Sequence, residues 1–361
     1  TFGKVGNIRP VIAVEGGASD GLSASRVGVT LTLDPASETV VRWAHGGERT
    51  PAASLALANR WLARDWDAVR DRNTRGQAQI PQIETGDADL DALLAASYQQ
   101  LVQAFLNPTA HLPKPSAVGT RHPGRGFSAQ PGGASHPRAW AGQSPPLTYL
   151  TALAAASVDA EWAQGLVRNM LAVQRDDGWI DWQPGLGGQR QGLLCLPILA
   201  RLAWGVFQFT EDDDFLRGVF PGLLRFLRRW RADDLDADGD GLPEWQSDVQ
   251  TGYPFFPTFG RGFPWSQNAD IRSAETPSLI ACLLSEAQSL REIAWYLREP
   301  EAEAECAGFV ASFAEALETL WAEGGYAYRD RDTHQTGPAR VLFSDAPADM
   351  PLFLAEPLDP P

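Results

Sequence analysis

The stretch LDADGDGLPEWQSDVQTGYPFFPTFGRGFPWSQNADIRSAE, residues 235–275, joins two segments of helical periodicity. It places carboxylates, amides and aromatic rings in one long connection, and a connection of that length in a compact domain is usually functional. Asp, Glu and Gln beside Trp and Phe form a combination that holds sugars, because aromatic faces cover the C–H patches of a pyranose while polar groups bind its hydroxyls. The stretch therefore indicates a carbohydrate-active protein whose long loop lies between helices.

Helical periodicity extends on both sides of this loop, from residue 87 onward. Apolar residues recur three and four positions apart, as in Phe215, Val219, Leu223 and Trp230. The run 193–209 is apolar nearly all round and predicts a buried helix, kinked at Pro197. About seven helices in consecutive pairs, separated by loops rich in Gly, Pro and Trp, favour a helical toroid over a four-helix bundle.

A closed ring of six helix pairs needs about twelve helices, whereas the helical pattern stops after Trp321. We therefore expect a mainly α fold, a partial (α/α)6 toroid of about the first half, in residues 87–361. Short β-rich runs at 11–15, 26–34 and 39–45 predict part of a β-sandwich within residues 1–52. Residues 53–86 are expected to form a linker helix, since 54–72 is amphipathic.

Composition narrows the class of protein. The chain has 361 residues, of which 44% are hydrophobic, and a formal net charge of −15. Such an acidic balance argues against a nucleic-acid partner, and no apolar run reaches the roughly 18 residues of a membrane span. Cys195, Cys282 and Cys306 lie in apolar helical patterns without CxxC spacing, which predicts buried free thiols and a reducing, cytoplasmic location.

Four stretches make the chain similar to known enzymes: DLDALLAASYQQLVQAF (89–105), NMLAVQRDDGWIDWQ (169–183), DADGDGLPEWQ (236–246) and WSQNADIRSAETPSL (265–279). They resemble the (α/α)6-barrel glycosidases of glycoside hydrolase family 63, mannosylglycerate hydrolases and glycogen-debranching, amylo-α-1,6-glucosidase-like enzymes. YAYRDRDTH (326–334) is similar to the strand-turn found midway round such barrels. The resemblance implies half a barrel after a sandwich, an inverting mechanism and no organic cofactor.

Glycoside cleavage needs one carboxylic acid to protonate the departing oxygen and a second carboxylate to activate water. The resemblance implies that the acid lies within EWQSDVQTGYPFFP (244–257). Relatives carry an acidic residue just after the Thr–Gly pair, where this chain has Tyr253, Pro254 and Phe255. Asp248 is the nearest carboxylate and Glu244 the next candidate, while the second carboxylate is expected in the missing half.

Polar and aromatic residues of the interhelical loops are the candidates for sugar binding. The resemblance adds Trp140 and Gln143, although Gly142 and Gln143 stand where relatives have an acidic residue. For Trp179 and Asp181 the alternative is a ring that caps the core, and for Asp270 and Glu275 it is favourable placement at a helix N-terminus. The predicted substrate-binding set is Trp140, Gln143, Trp179, Asp181, Trp245, Gln250, Tyr253, Trp265, Gln267, Asp270 and Glu275.

Asp236, Asp238 and Asp240 followed by Gly241 copy the first half of a calcium loop, in which oxygens at positions one, three and five bind the ion. Position twelve is Ser247, so Glu244 or Asp248 would have to complete the set. An acidic, glycine-rich turn without metal is the alternative. If Asp248 bound calcium, it could not serve as the acid.

Three function classes follow. The first is a glycosidase that cleaves α-linked glucosyl or mannosyl oligosaccharides or glycosides by inversion, without an organic cofactor and with calcium as a candidate ion. The second is a non-catalytic carbohydrate-binding protein, a degenerate hydrolase, favoured by the missing acidic residue near Tyr253. The third is a toroid enzyme with isomerase or lyase chemistry, since fold alone does not set the reaction.

Overall fold

The computed structural model describes residues 6–23, 26–36, 38–78, 80–120, 141–186, 192–251, 271–322 and 325–336. The chain divides into two compact units, Thr1–Arg75 and Gly76–Pro361. In these described ranges no helix is long and apolar enough to cross a membrane.

In its described residues, the first unit contains two antiparallel strand pairs, one whole helix and most of a second. β1 pairs with β4 and β2 with β3. Helix α1 (Pro51–Leu62) packs against β1 and β4, and at Gly46 a Cβ atom would lie 1.9 Å from the carbonyl oxygen of Ser54. Only glycine therefore lets the helix approach the strand this closely. The strands are β1 (Arg9–Glu15), β2 (Ala18–Ser23), β3 (Arg26–Thr30) and β4 (Arg42–Glu48).

The amphipathic stretch 54–72, predicted as one helix, forms parts of two. Helix α1 ends at Leu62, and α2 spans Trp66–Ala78. The break falls at Asp65, whose Oδ1 accepts the backbone N–H of Ala68 at 2.9 Å. An aspartate in this position begins a new helix rather than continuing the old one, because its side chain satisfies an otherwise unpaired first-turn donor.

The second unit is built from helices whose connections alternate in length. Within each of three consecutive helix pairs the two helices are joined by two or three residues, so each pair is antiparallel. These short links are residues 157–159, 211–212 and 298–299. The longer connections between the pairs begin and end at the opposite end of the helices, which we name the long-loop end; they are residues 105–144, 172–198 and 231–276. The helices are α3 (Ala88–Ala104), α4 (Pro145–Ala156), α5 (Ala160–Leu171), α6 (Leu199–Thr210), α7 (Asp213–Trp230), α8 (Pro277–Leu297) and α9 (Pro300–Thr319).

Two layers of helices enclose the core. α4, α6 and α8 contact one another in that order, while α5 and α7 pack outside them and α9 packs on α8. Helix α8 is buried on nearly all sides, whereas α9 buries only one face, at Cys306, Phe313 and Leu317. This inner and outer arrangement confirms the predicted mainly α, partial (α/α)6 toroid preceded by a strand-rich segment.

Short strands join the segments at the long-loop end. Each pair is antiparallel and only two residues long on either side, so it fixes loops rather than forming an extended sheet. The pairs are β5 (Phe105–Leu106) with β6 (Ser116–Ala117), β7 (Gly119–Thr120) with β8 (Ala141–Gly142), β9 (Ala274–Glu275) with β12 (Arg329–Asp330), and β10 (Trp321–Ala322) with β11 (Gly325–Tyr326).

The buried helix predicted over 193–209 was placed too early in the sequence. Helix α6 begins at Leu199, and Pro197 lies before it rather than kinking it. A proline inside a helix would lose a backbone hydrogen bond and clash with the preceding turn, so the helix starts after it. The prediction for the cysteines is confirmed, since Cys195, Cys282 and Cys306 are all buried and free.

Candidate active site

The acidic loop 235–244 lies at the long-loop end, and hydrogen bonds between its own residues fix its shape. The Asp236 carboxylate accepts the N–H groups of Gly239 and Gly241, each at 2.9 Å. Both glycines have positive φ angles, 76° and 92°, which other residues rarely adopt. Glu244 closes the loop, because its N–H donates to the carbonyl of Leu235 at 2.7 Å.

Glu244 is a buried carboxyl group in this loop. Its side chain is 5% exposed, accepts the backbone N–H of Ala237 at 3.3 Å, and lies 3.8 Å from Nη1 of Arg331. Burial raises the pKa of Glu244 to about 7, against the smaller opposing effects of the Ala237 N–H and Arg331. A substantial fraction of this carboxyl is therefore protonated at neutral pH and can donate a proton.

Trp245 belongs to the core of the long-loop end. It is 1% exposed, its Nε1–H donates to Oγ1 of Thr276 at 2.9 Å, and its ring meets Trp230 edge-on with centroids 5.7 Å apart. The contact with Thr276 joins the acidic loop to the start of α8. The structure thus places this predicted sugar-binding ring where it fixes loop position.

The candidate acid Asp248 opens a 3-10 turn, Asp248–Thr251. The Gln250 side chain is 3% exposed, and its Oε1 accepts the N–H groups of Gln246 and Ser247. The turn therefore holds the backbone of Asp248 between two fixed points, Ser247 and Gln250.

A cluster of charged residues forms where β9 meets β12. The Arg329 guanidinium contacts the carboxylates of both Glu275 and Asp240. Glu275 is fully buried, and its Oε1 has no hydrogen-bond partner within the described ranges. Burial raises the pKa of Glu275 above its usual value, although the hydrogen bond from Arg329 acts in the opposite direction.

The same cluster offers atoms that could hold a cation. Ligand atoms of Asp238, Asp240, Glu275 and His334 lie within 4.8 Å of one another. The structure thus groups two of the three predicted calcium residues with Glu275, while both oxygens of Asp236 accept backbone N–H groups. Among the described residues, Oε1 of Glu275 is buried without a hydrogen-bond partner, which fits a cation because a buried polar oxygen without a partner is unfavourable.

Trp179 and Asp181 occupy the connection between α5 and α6. Trp179 is 8% exposed and has the guanidinium groups of Arg175 and Arg229 over its ring, each 5.3 Å from the centroid. Asp181 is fully buried and forms an antiparallel bridge with Leu194. In this arrangement cations cover the Trp179 ring, which leaves little of it for a sugar.

Gln143 lies just before α4 and is fully buried. Its Nε2 donates to the carbonyl of Leu166 at 3.0 Å, and its Oε1 accepts from Nδ2 of Asn169 at 2.9 Å. Asn169 in turn bonds the backbone of Lys114. The Gln143 amide therefore ties α5 to the connection 105–144, to which both Gln143 and Lys114 belong.

Several predicted site residues lie outside the described residues. Beyond the described ranges lie Trp140, Tyr253, Trp265, Gln267 and Asp270, together with the side chain of Asp248. Two residues that the sequence analysis missed, Arg329 and Arg331, supply the cations facing Glu275 and Glu244. Both belong to YAYRDRDTH (326–334), Arg329 at the start of β12 and Arg331 in the turn that follows it.

Comparison with known proteins gives a family and a set of similar structures. The family described as "Mannosylglycerate hydrolase MGH1-like glycoside hydrolase domain" matches residues 138–357. No curated protein matches the chain.

Two of the similar structures are of the GH63 mannosylglycerate hydrolase from Thermus thermophilus. The complex with Tris is 18% identical, with a TM-score of 0.47, and the match covers 59% of this chain and 66% of that one. The complex with glucose is also 18% identical, with a TM-score of 0.48, and the match covers 57% and 63%. The chain thus spans slightly less than two thirds of the length of those proteins. Because the family match extends over more than half of its residues, the chain belongs to the mannosylglycerate hydrolase MGH1-like glycoside hydrolase family.

Proposed function

We propose that this glycoside hydrolase family member cleaves α-linked glucosyl or mannosyl oligosaccharides or glycosides by an inverting acid/base mechanism. The observation that carries the proposal is Glu244, a buried carboxyl at the long-loop end whose pKa is raised to about 7. A general acid works best when its pKa lies near the operating pH, and glycosidases use such a carboxyl to protonate the leaving oxygen.

Two residues are the candidate proton donors. Glu244 has the raised pKa, and Asp248 opens the turn four residues later, within the stretch where the resemblance puts the acid. Glu244 is 5% exposed, so it would need a change in the acidic loop to reach a sugar oxygen, whereas the Asp248 backbone is placed by Gln250. One of the two serves as acid, and substitution distinguishes them.

The substrate that we propose is a short glycoside held by the loops of the long-loop end. The acidic loop carries carboxylates at this end, and neutral sugar hydroxyls are bound by such groups. No organic cofactor is needed for hydrolysis by two carboxylates.

Calcium is proposed as a structural ion of the acidic loop. Asp238, Asp240 and Glu275 supply carboxylate oxygens, the ligand type that calcium prefers, whereas the nitrogen of His334 does not suit it. Arg329 contacts two of the same carboxylates, so the guanidinium and the ion would be alternative partners for them. Bound calcium would neutralise the loop and fix it against β9.

A second candidate function is sugar binding without hydrolysis. It is favoured by Tyr253, Pro254 and Phe255 at the place where relatives of the resembled family have an acidic residue. Such a protein would bind the glycoside but leave it intact.

Sugar release from α-glucosides, α-mannosides and mannosylglycerate tests these functions. We would compare the wild type with Glu244→Gln and Asp248→Asn, using Glu301→Gln on the exposed start of α9 as a matched control. Loss of the acid should lower kcat by roughly 100-fold or more, and the control should not change it. Equal activity in all variants would remove both candidates, and binding without turnover by the wild type would establish the second function.

A further inference from the structure

Gln250, predicted as a sugar ligand, uses its whole side-chain amide within the protein. Oε1 accepts the N–H of Gln246 at 2.6 Å and that of Ser247 at 2.9 Å. Nε2 donates to the carbonyl of Leu194 at 3.0 Å and approaches Oε1 of Gln246 at 3.4 Å. A primary amide has two acceptor sites and two donor hydrogens, so these four contacts leave none for a sugar hydroxyl.

The contacts on the acceptor side form one half of a capping box. Ser247 and Gln250 match the S/T-x-x-E/Q pattern, in which the fourth side chain accepts the N–H of the first residue. The Gln250 N–H also donates to the Ser247 carbonyl at 3.0 Å, which closes the turn. Asp248 lies inside this box, so its backbone is fixed by bonds on both sides.

The contact on the donor side reaches a different long connection. Leu194 belongs to 172–198, and it is fully buried. The next residue, Cys195, donates its N–H to the Ile180 carbonyl at 2.9 Å and accepts from Nε1 of Trp230 at 3.2 Å. The Leu194 carbonyl is therefore a rigid anchor between α5, α6 and α7.

We propose that Gln250 is a positioning residue that fixes the Asp248 turn against the Leu194 anchor, and not a substrate ligand. The inference rests on the proposed function in one respect, namely that Asp248 acts in hydrolysis. A proton donor must be held close to its productive position, since small displacements lower the rate strongly. Gln250 supplies this constraint because its side chain joins the turn to the neighbouring connection.

Two substitutions at Gln250 separate its acceptor and donor contacts. Gln250→Met removes both and keeps the length of the side chain, whereas Gln250→Glu keeps the acceptor for Gln246 and Ser247 but cannot donate to Leu194. Gln164→Met is the matched control, because Gln164 is 4% exposed and donates to Asp212 at 2.8 Å near the end opposite the long loops.

Amide hydrogen exchange and steady-state kinetics on the full chain test the proposal. We expect Gln250→Met to speed exchange at the Gln246 and Ser247 amides by roughly 10- to 100-fold, and Gln250→Glu to leave these amides protected. Both should lower kcat by roughly 100-fold with KM changed less than about twofold, while Gln164→Met leaves both parameters near wild type.

The possible results distinguish a failure of this proposal from a failure of the proposed function. Unchanged exchange at Gln246 and Ser247 in Gln250→Met would overturn the positioning role whether or not the protein is active. If the wild type hydrolyses no substrate but exchange rises as expected, Gln250 still positions the turn and the proposed function fails. A rise in KM with unchanged kcat would show that Gln250 binds substrate and overturn the inference.

Discussion

Glu286 is a buried residue whose carboxyl group caps a helix other than its own. It lies in the middle of α8, and its oxygens accept the N–H groups of Ala200 at 2.8 Å and Arg201 at 3.3 Å in the first turn of α6. Ile198, at the N-cap position, has no side-chain oxygen to fill this role. Glu286 thus joins two inner helices through otherwise unpaired donors.

Burial raises the pKa of Glu286 from 4.5 to about 7, although its backbone hydrogen bonds act in the opposite direction. The folded protein therefore holds a proton that the unfolded chain releases between pH 4.5 and about 7. An acid whose pKa is higher in the folded state makes stability fall as the pH rises through this window. The nearby thiols of Cys195 and Cys282 stay neutral there, because burial raises the pKa of each.

The size of the effect follows from the shift. From 4.5 to about 7 is about 2.5 pH units, and at 1.36 kcal/mol per unit this is about 3 kcal/mol of lost stability above pH 7. Glu286→Gln has no carboxyl to ionise and keeps an acceptor for one N–H group. The difference in unfolding free energy, variant minus wild type, should thus rise by about 3 kcal/mol between pH 4.5 and pH 8.

Urea unfolding followed by tryptophan fluorescence at a series of pH values measures this difference. The buried Glu244 also has a raised pKa, but it contributes equally to both proteins and cancels. Glu301→Gln, an exposed change, should give a difference that does not vary with pH. A pH-independent difference for Glu286→Gln would show that the capping N–H groups keep the carboxylate charged, and would refute the reasoning.

Three further predictions concern stability. Phe226→Ala removes a fully buried ring from α7 and should lower the unfolding free energy by about 3–5 kcal/mol in urea titration, against under about 0.5 kcal/mol for the exposed Glu301→Gln. Asp212→Ala removes the N-cap of α7, whose carboxylate accepts the N–H of Phe215 at 2.9 Å, and should lower the unfolding free energy by about 1 kcal/mol at pH 7. Because hydrogen bonding to the charged form lowers the pKa of Asp212, this loss should vanish once acid protonates the wild-type carboxylate. Millimolar calcium should raise the Tm of the wild type in calorimetry and leave that of Asp240→Asn unchanged, whereas an equal rise in both would contradict the proposed ion site.

Helix positions were the most predictable part of the fold, because they depend on local pattern. Phe215, Val219, Leu223 and Trp230 recur at helical spacing, and all four are buried on α7. Thr276 followed by Pro277 is a pattern typical of a helix start, and Oγ1 of Thr276 accepts the N–H of Leu279 at 3.3 Å at the start of α8. Where the prediction was wrong, a single residue decided the helix boundary, as Pro197 did for α6.

The candidate site was less predictable because distant segments build it. Arg329 and Glu275 are 54 residues apart, and their pairing depends on β9 meeting β12, which no local pattern reveals. Trp179 and Trp245 have the residue type of a sugar platform, yet they are 8% and 1% exposed. Residue type indicates which chemistry is available, whereas packing decides which side chains can reach a ligand.

The anomeric form of the first product tests the central claim most directly. Proton NMR of the wild-type reaction with an α-glucoside or α-mannoside, recorded before mutarotation, reports the configuration at the released anomeric carbon. An inverting acid/base hydrolase predicts the β-anomer as the initial product. An initial α-anomer would contradict the inverting mechanism, and a bound but uncleaved glycoside would contradict hydrolysis itself.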